Sequence, residues 1–253
     1  MQTALITGSS AGIGKETAYV YAKNKYNLVL VARRIDSLNQ IKKEIEDKYN
    51  VSVTVIAQDL ATLESAKKLY SQILDSGIVI DVLINNAGFG DGVLFNESDY
   101  QRNENMLILN IVTLTHLTKL FLADMVKRKS GNIVNIASAA AYQGIPNLAI
   151  YAASKAYVLH FTEALAFELK NTNVKVTAIC PGATQSEFAS VANLNEKTFS
   201  KAPTAKALAE YIFKSMQKGK VNATHGFKNR LLVFVSRFSP RKMNTLLAGK
   251  IME

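Results

Sequence analysis

Cys180 is the only cysteine among the 253 residues, so no intrachain disulfide can form. That usage fits a reducing compartment, and a cytoplasmic location is expected. Cys180 follows the apolar run VTAI, which points to buried packing. The three histidines, His116, His160 and His225, are scattered, and no Cys/His cluster has metal-ligand spacing, so no metal is expected. No apolar run approaches the ~18 residues of a membrane span. The N-terminus, MQTALITG, runs straight into a strand-like segment and lacks the regions of a signal peptide. There is no internal repeat, and no linker or low-complexity stretch interrupts residues 1–183. Acids are scarce at one end only. From Lys214 to Glu253 there are nine Lys/Arg and one acid, which leaves just +2 of the formal +10 for the rest of the chain. A nearly neutral body argues against nucleic-acid binding.

What is present is a regular alternation. TALIT, NLVLVA, VSVTVIA, IDVLINN, GNIVNIAS and VKVTAIC are short and rich in Val and Ile, as strands buried on both faces of a parallel sheet are. Helical periodicity fills the intervals 12–25, 37–49, 62–76, 103–129, 151–171 and 204–218. Strand and helix in turn predict an α/β, Rossmann-type doubly wound sheet with helices on both faces. One domain over 1–253 is expected, with a core to about 220 and a basic amphipathic extension over 221–253. Ligands bind at the carboxyl ends of such strands. Six polar or glycine-rich loops fall there: TGSSAGIG, ARR, QD, NNAG, SAAAYQG and PGATQS.

Gly8-Ser9-Ser10-Ala11-Gly12-Ile13-Gly14 lies between the first strand and its helix. Glycines there allow a sharp turn and close approach, and the helix N-terminus offers free N–H groups to a pyrophosphate. At the end of the second strand, where an NAD-binding fold carries an acid for the ribose 2′-hydroxyl, the chain has Arg33 and Arg34. A guanidinium pairs with a 2′-phosphate instead, so NADP(H) is expected over NAD(H). The competing reading leaves both arginines in solvent. Asp59 suits the adenine amino group, with capping of helix 62–76 as its competing role.

YAASK at 151–155 spaces Tyr151 and Lys155 four apart, on one helical face. A phenol has pKa near 10, and a neighbouring cation favours the phenolate and so proton transfer. A solvated surface pair is the alternative.

In this order TGSSAGIG, Asp59, NNAG at 85–88, Asn110, Ser138, YAASK and PG at 181–182 resemble the short-chain dehydrogenases/reductases over roughly residues 1–190. The resemblance implies a seven-stranded sheet, a nicotinamide cofactor and a catalytic set of Asn110, Ser138, Tyr151 and Lys155. Ser138 would hold the substrate oxygen, Lys155 the nicotinamide ribose, and Asn110 a water path to Lys155; a purely structural Asn110 stays open. Gly8, Ser10, Gly12, Ile13, Gly14, Asn86, Ala87, Gly88, Pro181, Gly182, Thr184 and Ser186 complete the cofactor contacts, and Asn85 ties adjacent strands. Ser186 stands where the family often has threonine, and the stretch after 220 lacks the usual final strand. The function implied is NADP-dependent interconversion of a carbonyl and an alcohol by an enzyme that associates as a homodimer or homotetramer. The alternative is a non-catalytic NADP(H)-binding regulator or scaffold.

Substrate contacts are expected from 89–99, 140–150 and 186–203, through Phe89, Leu94, Phe95, Tyr142, Ile145, Leu148, Phe188 and Val191. They form an apolar set without an arginine clamp, suited to an uncharged hydrophobic ketone, aldehyde or secondary alcohol. In the tail, Phe227, Leu231, Phe234 and Phe238 share a helical face flanked by Arg230, Arg237 and Arg241, with Pro240 as a break. Docking on the body, packing over the entrance or a subunit, and weak peripheral membrane contact all fit that pattern.

Overall fold

The Val/Ile runs pair side by side because a strand apolar on both faces must be covered on both. In the computed structural model, which describes residues 1–195 and 199–252 (251 and 252 by backbone alone), they do so in one parallel sheet. The strands are β1 (Thr3–Thr7), β2 (Asn27–Ala32), β3 (Val53–Ala57), β4 (Val82–Asn85), β5 (Gly131–Ile136), β6 (Val174–Cys180) and β7 (Asn222–Thr224). Their order is β3-β2-β1-β4-β5-β6-β7.

Alternate residues of each strand feed opposite layers. Ala4, Ile6, Leu28, Leu30 and Ile84 pack on α1 (Gly12–Lys23) and α2 (Ile35–Tyr49), and on Leu208 and Ile212 of a later helix. Leu5, Val29, Val31, Leu83 and Ile133 pack on α3 (Ser65–Asp75) and on Leu117, Phe121 and Met125 of the long central helix. That helix comprises α4 (Tyr100–Leu107), a π-helical turn (Ile108–Thr113) and α5 (Leu114–Arg128). The remaining helices are α6 (Ala149–Glu168), α7 (Phe188–Val191), α8 (Ala205–Gln217), α9 (Phe227–Ser236) and α10 (Arg241–Met252).

Three sequence expectations need correction. The missing final strand exists: β7 pairs parallel with β6 through Asn222, Ala223 and Thr224. It is three residues long and polar at both ends, so no apolar run announces it. The helix Tyr100–Arg128 contains an 18-residue window of mean hydropathy 1.7, by length and composition apolar enough to cross a membrane. Scattered charges hide this in the linear sequence. In the fold, Met106, Leu114, Leu117, Phe121 and Met125 are buried. The helix expected over 62–76 begins later, at Ser65.

Asn85, at the end of β4, donates from Nδ2 to Asn135 Oδ1 of β5 (2.9 Å) and to Thr118 Oγ1 (3.0 Å). This buried amide pair ties the two strands where the rim opens.

Candidate active site

The order of the strands reverses direction between β1 and β4, the place where a doubly wound sheet opens a crevice. There a cavity of about 1070 Å³ is lined by Gly8, Ser10, Gly12, Ile13, Arg33, Arg34, Asp59, Asn86, Ala87 and Gly88 on one side and Ser138, Tyr151, Lys155, Pro181, Gly182, Thr184 and Ser186 on the other. Of the expected catalytic and cofactor-binding residues, only Asn110 and Gly14 stand behind the wall.

The glycine loop is built for close approach. Gly8 has φ +66 and donates its N–H to Val31 O at 2.8 Å. A side chain at Gly14 would run into the Gly8 carbonyl and the Asn86 amide. Asn86 Nδ2 donates to the carbonyls of Thr7 (2.8 Å) and Gly8 (3.1 Å), so it shapes the loop as well as lining the cavity. Ala11 precedes α1 without a side-chain cap, so the N-terminal N–H groups face the cavity uncapped. Across the gap, a Cβ on Gly12 would lie 3.1 Å from Ser186 Cβ. A narrow cradle, two glycines that exclude side chains and a bare helix N-terminus fit a dinucleotide pyrophosphate. Gly14→Val is expected to cost ~1–3 kcal/mol in overpacking and to abolish dinucleotide binding. Urea melts and quenching titrations check both; a normal melt with normal binding would contradict the cradle.

At the adenosine end Arg33 is exposed. Arg34 donates from Nε to Ser10 Oγ (3.3 Å) and from its terminal nitrogen to Glu187 Oε2 (2.9 Å), a bridge across the cleft mouth. Asp59 accepts the Ala61 N–H at 2.9 Å in a tight turn. Its expected competing role as cap of the next helix is not realised, because α3 starts six residues on, with Glu64 as cap.

The reacting end gathers on α6. Lys155 is 5 % exposed and donates from Nζ to Ile136 O at 2.8 Å, and Nζ lies 5.7 Å from the centre of the Tyr151 ring. The amine is therefore inside the protein and not a solvated helix charge. Ser138 is buried and accepts the Ala140 N–H at 3.1 Å, at the start of a 3₁₀ turn, Ala139–Tyr142. The Ala139 N–H is held by Pro181 O at 2.7 Å, which fastens this loop to the next. Tyr151 keeps part of its surface open to the cavity, but protein atoms crowd its hydroxyl, and burial pushes the phenol up to about 12. The nearby Ser138 hydroxyl works the other way. Burial pulls the Lys155 ammonium down to about 8. In the chain by itself burial sets the direction of both shifts, and the Lys155 ammonium directs its own bond at Ile136 O.

Asn110 lies in the π-helical turn, a distortion common at functional sites. Its amide is fully committed, accepting the Phe89 N–H (3.2 Å) and donating to Phe89 O (3.0 Å) and Ser154 Oγ (3.1 Å). A Cβ on Gly88 would lie 2.9 Å from Asn110 Oδ1 and 3.3 Å from Lys155 Nζ, so the glycine keeps these two groups near each other.

In the substrate half, Phe89, Ile145, Leu148, Phe188 and Val191 line the cavity as expected. Phe188 and Tyr151 have ring centres 5.2 Å apart. Three others do not join them. Leu94 and Phe95 are 50 % and 68 % exposed, on the outer side of their loop. Tyr142 hydrogen-bonds the Asn222 side chain at the sheet edge, because its position in the 3₁₀ turn aims it away from the cavity. Residues 196–198 of the expected segment 186–203 lie outside the described residues. The sequence reading missed Arg102, which lines the cavity from α4. Its Nε sits 3.0 Å from Asp91 Oδ1, in poor hydrogen-bond alignment, and its terminal nitrogen donates to Val191 O at 2.5 Å. Asp91 neutralises the guanidinium, so it closes the wall more than it offers a free charge. No linear spacing links residues 91, 102 and 191.

A dinucleotide cradle beside a buried Ser-Tyr-Lys cluster at a Rossmann-type switch point defines the class: a nucleotide-binding oxidoreductase. The short chain dehydrogenase family model matches residues 2–197, and the chain belongs to that family. An NADP-dependent 3-hydroxy acid dehydrogenase of Schizosaccharomyces pombe is 33 % identical over 192 residues, 75 % of this chain and 74 % of the relative. A very-long-chain 3-oxoacyl-CoA reductase of Mus musculus is 31 % identical over 245 residues, 95 % of this chain and 76 % of the relative. Among solved structures, a short-chain dehydrogenase from Sphingobium yanoikuyae in complex with NADPH superposes with TM-score 0.85 at 27 % identity, covering 94 % of each chain.

Proposed function

We propose that the chain is an NADP-dependent oxidoreductase that interconverts a carbonyl and an alcohol, working chiefly as a reductase on a small hydrophobic ketone or aldehyde. The observation that carries this reading is the convergence of Ser138, Tyr151 and Lys155 on the same cavity wall that continues into the glycine cradle. NADP(H), when bound, would supply or accept the hydride. Gly8, Ser10, Gly12, Ile13 and the α1 N-terminus would hold its pyrophosphate. Asn86, Ala87, Gly88 and Asp59 would flank the adenosine, and Thr184 and Ser186 the carboxamide end. Tyr151, a phenol neutral near pH 7 that burial raises further, would donate a proton to a carbonyl oxygen. Ser138 would hydrogen-bond that oxygen as charge develops. Lys155 would hold the ribose hydroxyls, and Asn110 would keep Phe89 and Ser154 in register behind it. The hydrophobic substrate class rests on Phe89, Ile145, Leu148, Phe188 and Val191, and on an Arg102 already neutralised by Asp91. A panel of carbonyls followed by loss of NADPH absorbance tests the reading.

NADP over NAD rests on Arg33 and Arg34, and the NADP- and NADPH-linked relatives favour it. Arg33→Ala should weaken NADPH by ~10–100-fold, the loss of a charge-assisted bond, and leave NADH nearly unchanged; equal effects refute the phosphate role. Glu187→Gln should act oppositely, because it frees Arg34 from its carboxylate partner. NADPH binding then tightens several-fold while NADH binding stays level.

We further place the protein in the cytoplasm, on the ground of its lone buried thiol, as one domain that assembles into dimers or tetramers. Exposed Leu107, Val126, Tyr157 and Phe167 on α4–α6 support association; light scattering on the purified chain decides it.

A further inference from the structure

Residues 225–250 make a surface unlike the rest of the molecule. α9 and α10 touch the body along a narrow strip, where Val233, Asn244 and Ala248 are buried. Thr245 and Gly249 lie against Gly144 and Pro146, in the loop that continues into the cavity-lining Ile145, Asn147 and Leu148. The larger apolar side chains point the other way. Phe227, Phe234 and Phe238 are 73 %, 59 % and 76 % exposed, and Leu231, Leu246 and Leu247 are exposed beside them. Phe234 and Phe238 pack on each other with ring centres 5.2 Å apart. The single interrupted helix of the sequence reading is two helices, with the break at Pro240.

An amphipathic helix of a soluble domain turns its apolar stripe to the core; these two turn theirs to solvent. Single exposed leucines need no explanation, but a contiguous patch marks a contact surface. The chemistry of the rim selects the partner. Lys228, Arg230, Arg237, Arg241, Lys242 and Lys250 are all exposed, and residues 225–252 contain no Asp or Glu. A second copy seated on this face would set six cations against six with no acid between them. A nucleic-acid duplex would use the cations and leave the phenylalanines in water. An anionic bilayer uses both: apolar side chains enter the acyl boundary and the cations meet phosphates.

We propose that the α9–α10 hairpin is a peripheral docking surface for anionic lipid membranes. This does not depend on the catalytic reading. Its inner side rests on loop 143–148, so docking holds that wall of the cavity next to the lipid. Each cation brought to an anionic surface strengthens binding about fivefold at modest salt.

Sedimentation of the full chain with vesicles of phosphatidylcholine containing one third phosphatidylglycerol tests the proposal. Binding is expected at low salt, at least tenfold weaker with phosphatidylcholine alone and weakened again by high salt. The double variant Phe234→Glu/Phe238→Glu should lose it while keeping the wild-type melt. A single variant, Arg237→Ala, should weaken binding about fivefold without altering the fold. No binding at low salt overturns the proposal, and so does binding that survives both variants. Self-association abolished by the double variant, with no vesicle binding, overturns it in favour of an interface between copies.

Discussion

Tyr151→Phe should reduce carbonyl-dependent NADPH oxidation by ~10²–10⁴-fold, because proton transfer by a positioned side chain contributes on that scale, while NADPH still binds within a few-fold of wild type. The substitution removes one oxygen from a ring that packs against Phe188 and keeps the rest of its contacts. Turnover with a responsive carbonyl and fluorescence quenching of bound NADPH separate chemistry from binding. Retained turnover in the variant removes Tyr151 from the chemistry. A wild type that binds NADPH but oxidises it with no carbonyl in a broad panel favours the regulator or scaffold reading instead. The pH dependence sharpens the test. In the chain by itself the phenol is held near 12 and the ammonium near 8, both by burial. Proton donation by Tyr151 should therefore persist through neutral pH, and a reductase rate that falls as pH rises, with its midpoint below pH 7, would contradict this assignment.

Lys155→Met should inactivate the enzyme and at the same time stabilise it. The buried ammonium titrates at about 8 instead of the ordinary 10.5. Below pH 8 both folded and unfolded chains hold the proton, and the folded chain bears the whole cost of burying the charge, ~3 kcal/mol. Between about 8 and 10.5 the unfolded chain retains a proton that the folded one has released, so wild-type stability rises with pH across that window. Tyr151 acts in the opposite sense above it: the folded chain keeps its phenolic proton from 10 to about 12, and stability falls there. Methionine removes the charge but also the donor to Ile136 O, which costs ~1 kcal/mol. The net expectation is a gain of ~2 kcal/mol at pH 7, with loss of the rise between pH 8 and 10.5 and activity lower by ~10³-fold. Urea melts at pH 7 and 9.5 measure the stability effect. A variant less stable than wild type at pH 7 would mean that the ammonium is better solvated than its burial implies.

Much of this site could be read before any fold was known, for a physical reason. The glycine loop, the end of β2 and the Tyr151/Lys155 pair are each short segments whose function lies in local geometry: a turn, a strand end, one helical face. Their apolar flanks announce the strands that carry them. Where two distant segments meet, the linear reading failed. Arg102 with Asp91 and Val191, and Arg34 with Glu187, are joined across the cleft by folding alone. The place of Tyr142 in its loop predicts a cavity residue, and only the 3₁₀ turn sends it to Asn222.

The order of Val/Ile runs and amphipathic intervals by itself determined the doubly wound architecture, because burial on two faces and on one stripe are periodicities written residue by residue. The same holds for the cradle and the reactive helix, whose residues lie within a few positions of one another. The tertiary structure decided the rest: the direction of each pKa shift, the closure of the substrate wall and the outward turn of Phe227, Phe234 and Phe238. Those depend on what packs nearby from far along the chain, and desolvation and ion pairing act through space without regard to sequence distance.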